Sequence, residues 1–295
     1  MQEKRILTVQ DISCVGQCSL TVALPILSAC GLETCVLPTA LLSTHTAFRH
    51  FTRLDLTGEM PGVRRAWEEE GITFDAIYTG YLGSAGQAAE VQAVMRSCLK
   101  AGGLRIVDPA MADFGRLYPA FDTGFVAAMR ELCREADILL PNLTEACLLA
   151  GVPYREEYDA AWIAELLEAL TAAVGPRTVV LTGVGYRPGR TGVLTSESGR
   201  TVYYEHEKLG RSCHGTGDVY ASVFTGARLA GKEIPEAAAL AADFTLACIR
   251  ATADDPAHWY GVKFEEVLPE LWKRLGKEKN KRLERFMRIM LQPPR

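Results

Sequence analysis

Short apolar runs alternate with longer amphipathic segments along most of this chain. The runs are bounded by polar residues or glycine, which is typical of buried strands, and the segments between them have the helical period. The predicted strands lie at 5–9, 34–42, 76–79, 104–107, 138–140 and 178–181, and the predicted helices at 19–29, 60–70, 85–100, 123–134 and 160–173. Such alternation predicts an α/β protein with a mostly parallel central sheet and helices on both faces.

The rhythm changes after residue 190. Two strand-like runs at 192–195 and 201–204 flank a short polar turn, which predicts a β-hairpin. Three helical stretches follow at 218–229, 234–250 and 264–275. No linker rich in proline, glycine or serine interrupts the chain, so we expect a single domain over residues 1–275.

Residues 276–295 have a pattern of their own. Leu283, Phe286, Met287 and Met290 follow helical spacing among basic residues, which predicts a basic amphipathic tail. Seven basic and two acidic residues give this tail a net charge of +5, leaving −9 for residues 1–275 of a chain whose total is −4. An acidic body argues against nucleic acid as the main ligand. The tail suits docking on the domain or on a second subunit, with a membrane surface as the alternative.

Composition supports an ordinary globular protein. The chain has 295 residues, of which 48% are hydrophobic and 23% charged. We find no apolar run long enough to cross a membrane and no signal-peptide core near the N-terminus, so we expect a cytoplasmic protein. The nine cysteines are scattered without a Cys-x-x-Cys pair, which favours reduced thiols over a zinc site.

Polar residues follow six of the predicted strands. In parallel sheets the carboxyl ends of the strands meet at one edge, where ligands bind, although each residue alone could serve as a turn or helix cap. The residues concerned are Asp11, His45 with Thr46, Thr79 to Tyr81, Asp108 with Asp113, Asn142 with Glu145, and Thr182 with Gly183.

The segment Cys213-His214-Gly215-Thr216-Gly217-Asp218 opens a predicted helix. Its glycines allow close backbone approach, and a helix start offers free N–H groups to a phosphate. Asp218 would stand beside that anion site, placed to accept a proton from a hydroxyl. The alternative is a carboxylate that only favours the helix start. A Walker A loop and a dinucleotide fingerprint both fail on their glycine and lysine positions.

The Gly215-Thr216-Gly217-Asp218 motif resembles the signature of the ribokinase superfamily. Together with Val9-Gln10-Asp11, Leu42 to Thr46, Thr79-Gly80-Tyr81, Val107-Asp108-Pro109 and Pro141-Asn142-x-x-Glu145, it is similar to the pyridoxal/pyridoxamine kinases over about residues 4–275. The resemblance implies a ribokinase-like three-layer sandwich with a β-hairpin near the nucleotide site. It also implies a cytoplasmic homodimer that transfers phosphate from ATP to the 5′-hydroxymethyl group of a B6 vitamer.

The resemblance also implies roles for single residues. Asp218 would be the base, and the amides of Gly215, Thr216 and Gly217 would hold the transferring phosphoryl group. Asp108 and Glu145 would organise Mg²⁺, directly or through water. Asp113, Tyr118, Asn142, Thr182 and Gly183 would line the ATP side, and Asp11, Thr46 and Tyr81 the vitamer ring, with His45 between substrate and phosphates. A monovalent cation such as K⁺ is a further implied cofactor.

Two departures from the pattern stand out. Asp11 replaces a serine of the best-known pyridoxal kinases, and a carboxylate there could pair with a protonated ring nitrogen. Leu140 replaces a threonine, which removes one nucleotide or cation contact. Cys213 is either a packing thiol or a trap for an aldehyde. The alternatives are a kinase for hydroxymethylpyrimidine or a sugar, although residues 44–60 show little strand pattern for a sugar-kinase lid, and a binding protein without turnover.

Overall fold

A computed structural model describes residues 4–210 and 213–276 of the chain. Within them, nine strands form one sheet in the order β11-β10-β9-β8-β5-β4-β1-β2-β3, and β6 and β7 form a separate two-stranded ribbon. The strands are β1 (Arg5–Ser13), β2 (Glu33–Leu42), β3 (Arg53–Asp55), β4 (Phe74–Thr79), β5 (Leu99–Val107), β6 (Ala112–Asp113), β7 (Arg116–Leu117), β8 (Ile138–Leu139), β9 (Thr178–Val184), β10 (Arg190–Glu197) and β11 (Arg200–Glu207).

The centre of the sheet is parallel and its edges are antiparallel. Strands β2, β1, β4, β5, β8 and β9 pair in parallel. The hairpin β10–β11 joins β9 at one edge and β3 joins β2 at the other, both antiparallel. All carboxyl ends of the parallel strands therefore lie along one edge, as the sequence pattern predicts.

Helices cover both faces of this sheet. They are α1 (Leu20–Ala29), α2 (Met60–Glu69), α3 (Ala85–Cys98), α4 (Thr123–Cys133), α5 (Leu143–Ala150), α6 (Ala160–Val174), α7 (Thr216–Leu229), α8 (Ile234–Thr252) and α9 (Phe264–Arg274). Helices α2 to α6 pack into one hydrophobic core, and α1 with α7 to α9 pack into the other. Alternate residues of a strand serve opposite cores, so Ile6 belongs to the core with α1 and α7 to α9 while Leu7 belongs to the core with α2 to α6. The prediction of a three-layer α/β sandwich is confirmed.

Three local elements differ from the sequence prediction. Residues 143–150 form α5, a helix absent from the predicted elements, and Asn142 and Glu145 close a capping box at its start. The predicted helix 85–100 ends at Cys98, because Leu99 takes an extended backbone and begins β5. Strand β3 lies within residues 44–60 but joins the main sheet edge instead of forming a separate lid.

The predicted tail at 276–295 falls, beyond Gly276, outside the described residues. Its assignment as a basic amphipathic appendage to one domain stays a prediction. Among the described residues, none of the helices combines the length and the apolar character that crossing a bilayer requires.

The close contact between α1 and α7 depends on Gly226. A Cβ atom added there would lie 2.3 Å from Cys30 Sγ, at a position where Cys30 is fully buried. Gly62, on the exposed face of α2, is different, because its added Cβ would meet only Arg65 Nη2, at 4.0 Å. Two helical glycines thus differ in whether the fold has room for a methyl group.

We therefore expect opposite effects of two matched substitutions. Gly226→Ala should destabilise the protein by about 1–3 kcal/mol through overpacking. Gly62→Ala should stabilise it by up to about 1 kcal/mol, since alanine favours the helix. Urea unfolding of both variants measures the difference, and equal effects would contradict this account of the α1–α7 contact.

Candidate active site

The start of α7 forms one wall of the candidate site. Gly215 precedes the helix in the left-handed conformation, with φ 74°, and a Cβ atom there would lie 1.9 Å from the carbonyl oxygen of Gln17. Only glycine fits both demands. The fit brings the first turn of α7, with Thr216 and Gly217, against the loop that follows β1. As at every helix start, the first N–H groups have no helical acceptor and can bind an anion.

Asp218 lies in this first turn and is half-buried. Burial raises the pKa of its carboxyl group to about 6, the backbone N–H of Ser19 opposes that rise, and the charge of Asp11 adds to it. Ser19 reaches Asp218 from a strained backbone, with φ 51° and ψ −131°. The carboxyl group therefore titrates close to neutral pH, which suits a general base.

Asp11 lies beside Asp218, at an irregularity of β1. The pairing of β1 with β2 shifts register between Gln10 and Ile12, and the Asp11 side chain is 4% exposed. Burial raises the pKa of Asp11, while hydrogen bonds from the hydroxyls of Ser19 and Ser13 lower it. The Ser13 Oγ to Asp11 Oδ2 distance is 3.0 Å. A buried carboxylate held by two hydroxyls can accept a further polar hydrogen from a ligand.

Asp108 follows β5 and forms a second group of carboxylates with Glu145. Burial raises the pKa of Asp108 well above its usual value, and the charges of Glu145 and Asp218 raise it further. Within the described part of the chain, three His, Cys, Asp or Glu side chains do not converge in a metal-binding cluster. Mg²⁺, by contrast, is often held by one or two carboxylates together with water and phosphate oxygens.

Glu145 holds the loop that follows β5. Its Oε1 accepts hydrogen bonds from the N–H groups of Met111, at 3.0 Å, and Ala112, at 3.4 Å. Its Oε2 accepts from the N–H of Asn142 at 2.9 Å. Burial raises the pKa of Glu145 and these three donors lower it. Because both oxygens already accept hydrogen bonds, contact with a cation through water suits Glu145 better than direct ligation.

Asn142 completes the same support. Its Oδ1 accepts from the Glu145 N–H at 2.9 Å, and its Nδ2 donates to the Ala112 carbonyl at 2.7 Å. Asn142 also forms a bridge with Thr182, whose N–H donates to the Pro141 carbonyl at 3.0 Å. The ends of β5, β8 and β9 are thereby joined.

The remaining residues predicted for the ATP side lie around these strand ends. Tyr118 is 37% exposed, and its pKa is raised by burial and then by Glu145, Asp113, Asp108 and Asp218. Asp113 is exposed at the β6–β7 ribbon, and its carboxylate accepts a hydrogen bond from the Phe114 N–H at 2.8 Å. Gly183 is exposed, with φ 76°. Tyr118 and Asp113 thus both lie near enough to Glu145 for their charges to interact with it.

His45 is tied to the backbone on both sides of its ring. Nδ1 accepts from the Ala47 N–H at 3.2 Å, so Nε2 carries the hydrogen and donates to the Tyr260 carbonyl at 3.0 Å. Burial lowers its pKa, and its ring centroid lies 5.1 Å from that of His214. His45 therefore joins the loop after β2 to the start of α7 as a neutral ring.

Tyr81 and Thr46, both predicted to contact a ligand ring, lie differently. Tyr81 is half-buried, packs 5.4 Å from the Phe121 ring, and feels the charges of Arg53 and Asp11. Thr46 is exposed in the loop after β2. Within residues 4–210 and 213–276, its side chain forms no hydrogen bond with the four carboxylates. Tyr81 belongs to the site by position, whereas Thr46 lies at its margin.

Several neighbours of the carboxylates were missed by sequence reasoning. Cys18 is one, and its pKa rises to about 12 through burial and the charge of Asp218, so it is a neutral thiol. Arg53 comes from the unpredicted strand β3, and Ser19 marks the start of α1. Serine before a helix is a recognisable signal. The cysteine and the arginine carry no signal of that kind.

The architecture and this strand-end site define a small-molecule kinase of the ribokinase-like class, and comparisons with known proteins agree. A model of the family described as phosphomethylpyrimidine kinase matches residues 65–261. A curated pyridoxine/pyridoxal/pyridoxamine kinase of Bordetella avium is 31% identical over 264 residues, covering 83% of this chain and 85% of the relative. The chain therefore belongs to the phosphomethylpyrimidine kinase family, and its resemblance to pyridoxal kinases is confirmed.

Solved structures are also similar. A Bacteroides thetaiotaomicron protein, provisionally described as a phosphomethylpyrimidine kinase and crystallised with pyridoxal, is 39% identical with a TM-score of 0.87. The match covers 92% of this chain and 96% of that one. Pyridoxal kinase from Lactobacillus plantarum is 32% identical with a TM-score of 0.85, covering 94% of this chain and 99% of that one. The chain is thus an enzyme that phosphorylates an alcohol group.

The raised pKa of Asp218 has a consequence for stability. A carboxyl group with a folded pKa of about 6, against a usual value of 3.8, destabilises the fold when ionised. The cost is absent below the usual pKa, where both states are protonated, and is fully present above pH 6. One pKa unit corresponds to about 1.4 kcal/mol.

Asp218→Asn should therefore raise the free energy of unfolding by roughly 3 kcal/mol at pH 7.5 and by little at pH 3.5. Asp122→Asn is the control, since Asp122 is an exposed cap of α4 and asparagine caps equally well. Urea unfolding at both pH values tests the difference. An equal increase in the free energy of unfolding at both pH values would contradict the raised pKa of Asp218.

Proposed function

We propose that the protein transfers the γ-phosphoryl group of ATP to the 5′-hydroxymethyl group of a B6 vitamer. The observation that carries the proposal is Asp218, a carboxyl group with a pKa of about 6 in the first turn of α7. It combines a base that is ionised at neutral pH with the N–H groups of a helix start. Relatives named for pyridoxine, pyridoxal and pyridoxamine support the substrate class.

In the proposed reaction Asp218 accepts the proton of the vitamer hydroxyl while that oxygen attacks the γ-phosphorus, and the bond from the γ-phosphorus to the β–γ bridging oxygen breaks to release ADP. The amides of Gly215, Thr216 and Gly217 stabilise the negative charge on the transferring group. The ionised form of Asp218 is already present at the moment of attack, and the N–H of Ser19 orients it. The residues thus contribute orientation, proton acceptance and fixed positive dipoles.

The carboxylates after β5 and β8 suit a hard divalent cation. Burial and the charge of Glu145 disfavour the ionised form of Asp108, so a nearby cation would lower its raised pKa. Asp108 would hold Mg²⁺ together with phosphate oxygens, and Glu145 would act through water. The ion would supply charge neutralisation for the phosphates. Asn142, Thr182, Gly183, Asp113 and Tyr118 would then face the nucleotide.

The vitamer ring would lie between Asp11 and Tyr81. Asp11 is buried and accepts hydrogen bonds from two hydroxyls, and its carboxylate would also pair with a protonated ring nitrogen. The half-buried ring of Tyr81 offers an apolar wall on the neighbouring strand end. Homodimer formation, a cytoplasmic location and a role for K⁺ belong to the same proposal through the family resemblance.

A second candidate acceptor is hydroxymethylpyrimidine or its phosphate, which the description of the matching family favours. Both rings carry a hydroxymethyl group and ring nitrogens. We would measure ATP consumption with Mg²⁺ against pyridoxal, pyridoxine, pyridoxamine and hydroxymethylpyrimidine, each separately. Turnover highest with a B6 vitamer supports the proposal, and turnover with the pyrimidine alone overturns it.

Loss of the base should strongly reduce turnover without loss of the nucleotide site. We expect Asp218→Ala to lower kcat by roughly 10²–10⁴-fold, the range of general-base catalysis. ATP binding, measured by calorimetry, should persist because the amides remain. Asp122→Asn serves as the control, and near-normal kcat in Asp218→Ala would remove Asp218 from this role.

In the wild type, kcat/KM should fall as the pH drops below about 6, because Asp218 is then protonated. The fall should approach tenfold per pH unit.

Asp11 should affect the choice among vitamers. Asp11→Ser removes a charged hydrogen bond of about 1.5–3 kcal/mol and should change the ratio of kcat/KM for pyridoxamine and pyridoxal by roughly tenfold or more. Asp11→Asn keeps the size of the side chain and removes the charge, so it should shift the ratio similarly. A wild-type ratio in both variants would mean that Asp11 does not contact the ring.

A further inference from the structure

Three polar side chains lie fully buried between the sheet and α7. Gln10 is in β1, Tyr78 in β4 and Ser222 in α7, and each is 0% exposed. Tyr78 pairs across the sheet with Thr8, two residues before Gln10, so the side chains of Gln10 and Tyr78 point to the same face. Tyr78 belongs to the core shared with α7. We call these three residues the Tyr78 cluster.

The Tyr78 cluster presents three oxygens to one another. The side chains of Ser222 and Gln10 lie close enough to the Tyr78 hydroxyl to lower its pKa. Nevertheless, Tyr78 Oη, Ser222 Oγ and Gln10 Oε1 each lack a direct partner of normal hydrogen-bond geometry within residues 4–210 and 213–276. The Gln10 amide is oriented by its Nε2, which donates to Thr8 Oγ1 at 2.9 Å. Buried polar atoms without partners are costly, so such a group requires an explanation.

The cluster lies directly behind the reacting carboxylates. Gln10 precedes Asp11 in β1, and Ser222 lies four residues after Asp218, on the same side of α7. The pKa of Tyr78 is raised by burial and then by the charges of Asp108 and Asp218. Three elements that carry site residues therefore meet at these three oxygens.

We infer that one buried water molecule joins Tyr78 Oη, Ser222 Oγ and Gln10 Oε1, and that this cluster holds the start of α7 against β1 and β4 so that Asp218 stays in its reacting position. The inference rests on the proposed role of Asp218 as the base. Gln10, Tyr78 and Ser222 are positioning residues, since they act through Asp218 and not on the substrate.

The donor set suits water. The Gln10 oxygen only accepts, while the two hydroxyls both donate and accept. A water molecule can donate to Gln10 Oε1 and accept from both hydroxyls with its two lone pairs, which gives all three groups a partner through the usual three hydrogen bonds. A cation in the place of the water could not accept hydrogen bonds from the two hydroxyls.

The test uses Tyr78→Phe, Ser222→Ala and the double variant in the full-length protein. Each single change should lower kcat by roughly tenfold to a hundredfold, because small misplacements of a catalytic group are that costly. KM for ATP and for the vitamer should stay within about twofold, since the substrate contacts remain. The double variant should be no slower than the slower single variant, because both changes disrupt one water-linked unit.

Tyr220→Phe is the matched control. Tyr220 lies in α7, its hydroxyl also lacks a partner among the described residues, and burial alone raises its pKa. The control should keep wild-type kcat. Losses of kcat in Tyr78→Phe and Ser222→Ala that multiply in the double variant would overturn the inference, as would a Tyr78→Phe variant as active as the wild type.

Thermal unfolding and a high-resolution crystal structure separate this inference from the proposed function. If the cluster exists, Tyr78→Phe and Ser222→Ala should each lower Tm, with a smaller combined loss than the two losses added, whatever the substrate is. Density for a water between the three oxygens supports the inference, and direct contact between them overturns it. Absence of any vitamer turnover would instead count against the proposed function.

Discussion

The burial of four carboxyl groups within one region of the sheet edge is the constraint on which the surrounding structure depends. Asp11, Asp108, Glu145 and Asp218 all have a raised pKa, with burial as the largest cause. Uncompensated, such groups would cost several kcal/mol each. Some loops at this edge supply hydrogen-bond donors to the buried carboxylates. Where a loop supplies none, the repulsion between carboxylates remains until a ligand, such as a cation, reduces it.

The four carboxyl groups differ in the hydrogen bonds that compensate for their burial. This difference distinguishes a carboxyl group that supports a loop from those suited to chemistry. Glu145 accepts three backbone N–H groups and thereby fixes the loop after β5. Asp11 accepts hydrogen bonds from two hydroxyls, and Asp218 accepts one from the N–H of Ser19. The pKa of Asp108 is shifted by burial and by like charges alone. The group with the least compensation is the one that a cation would stabilise most, and the group with a pKa near 6 is the one suited to move a proton.

A second set of contacts joins the two sides of the site. Gly215 approaches Gln17 so closely that no side chain fits, and the His45 ring lies where a side chain on Gly16 would be. The Tyr260 carbonyl accepts from both the Gln17 N–H, at 3.2 Å, and His45. The loop after β1, the loop after β2 and the start of α7 cannot therefore move independently. Movement of one would require the others to repack.

Much of the fold was predictable because its signals are local. Alternation of apolar runs and amphipathic segments identified the parallel strands, and Gly215 to Asp218 identified the helix start. Strand β3 could not be found in this way, since its three residues are all exposed and form a strand only by pairing with β2. Helix α5 was missed because its capping residues were interpreted as a ligand-binding motif. Asn142 and Glu145 form the cap of α5. In the proposed function Asn142 also faces the nucleotide, and Glu145 also acts on the cation through water.

The residues that sequence reasoning missed share one property, which is that their role depends on a distant partner. Ser19 is informative only once β1 places Asp11 beside it, and Tyr78 resembles any apolar strand residue until packing places Ser222 and Gln10 near its hydroxyl. Motifs identify the groups that meet a substrate, because those groups cluster along the chain near strand ends. The groups that hold them in position are dispersed over β1, β4 and α7 and become visible only when the three elements pack together.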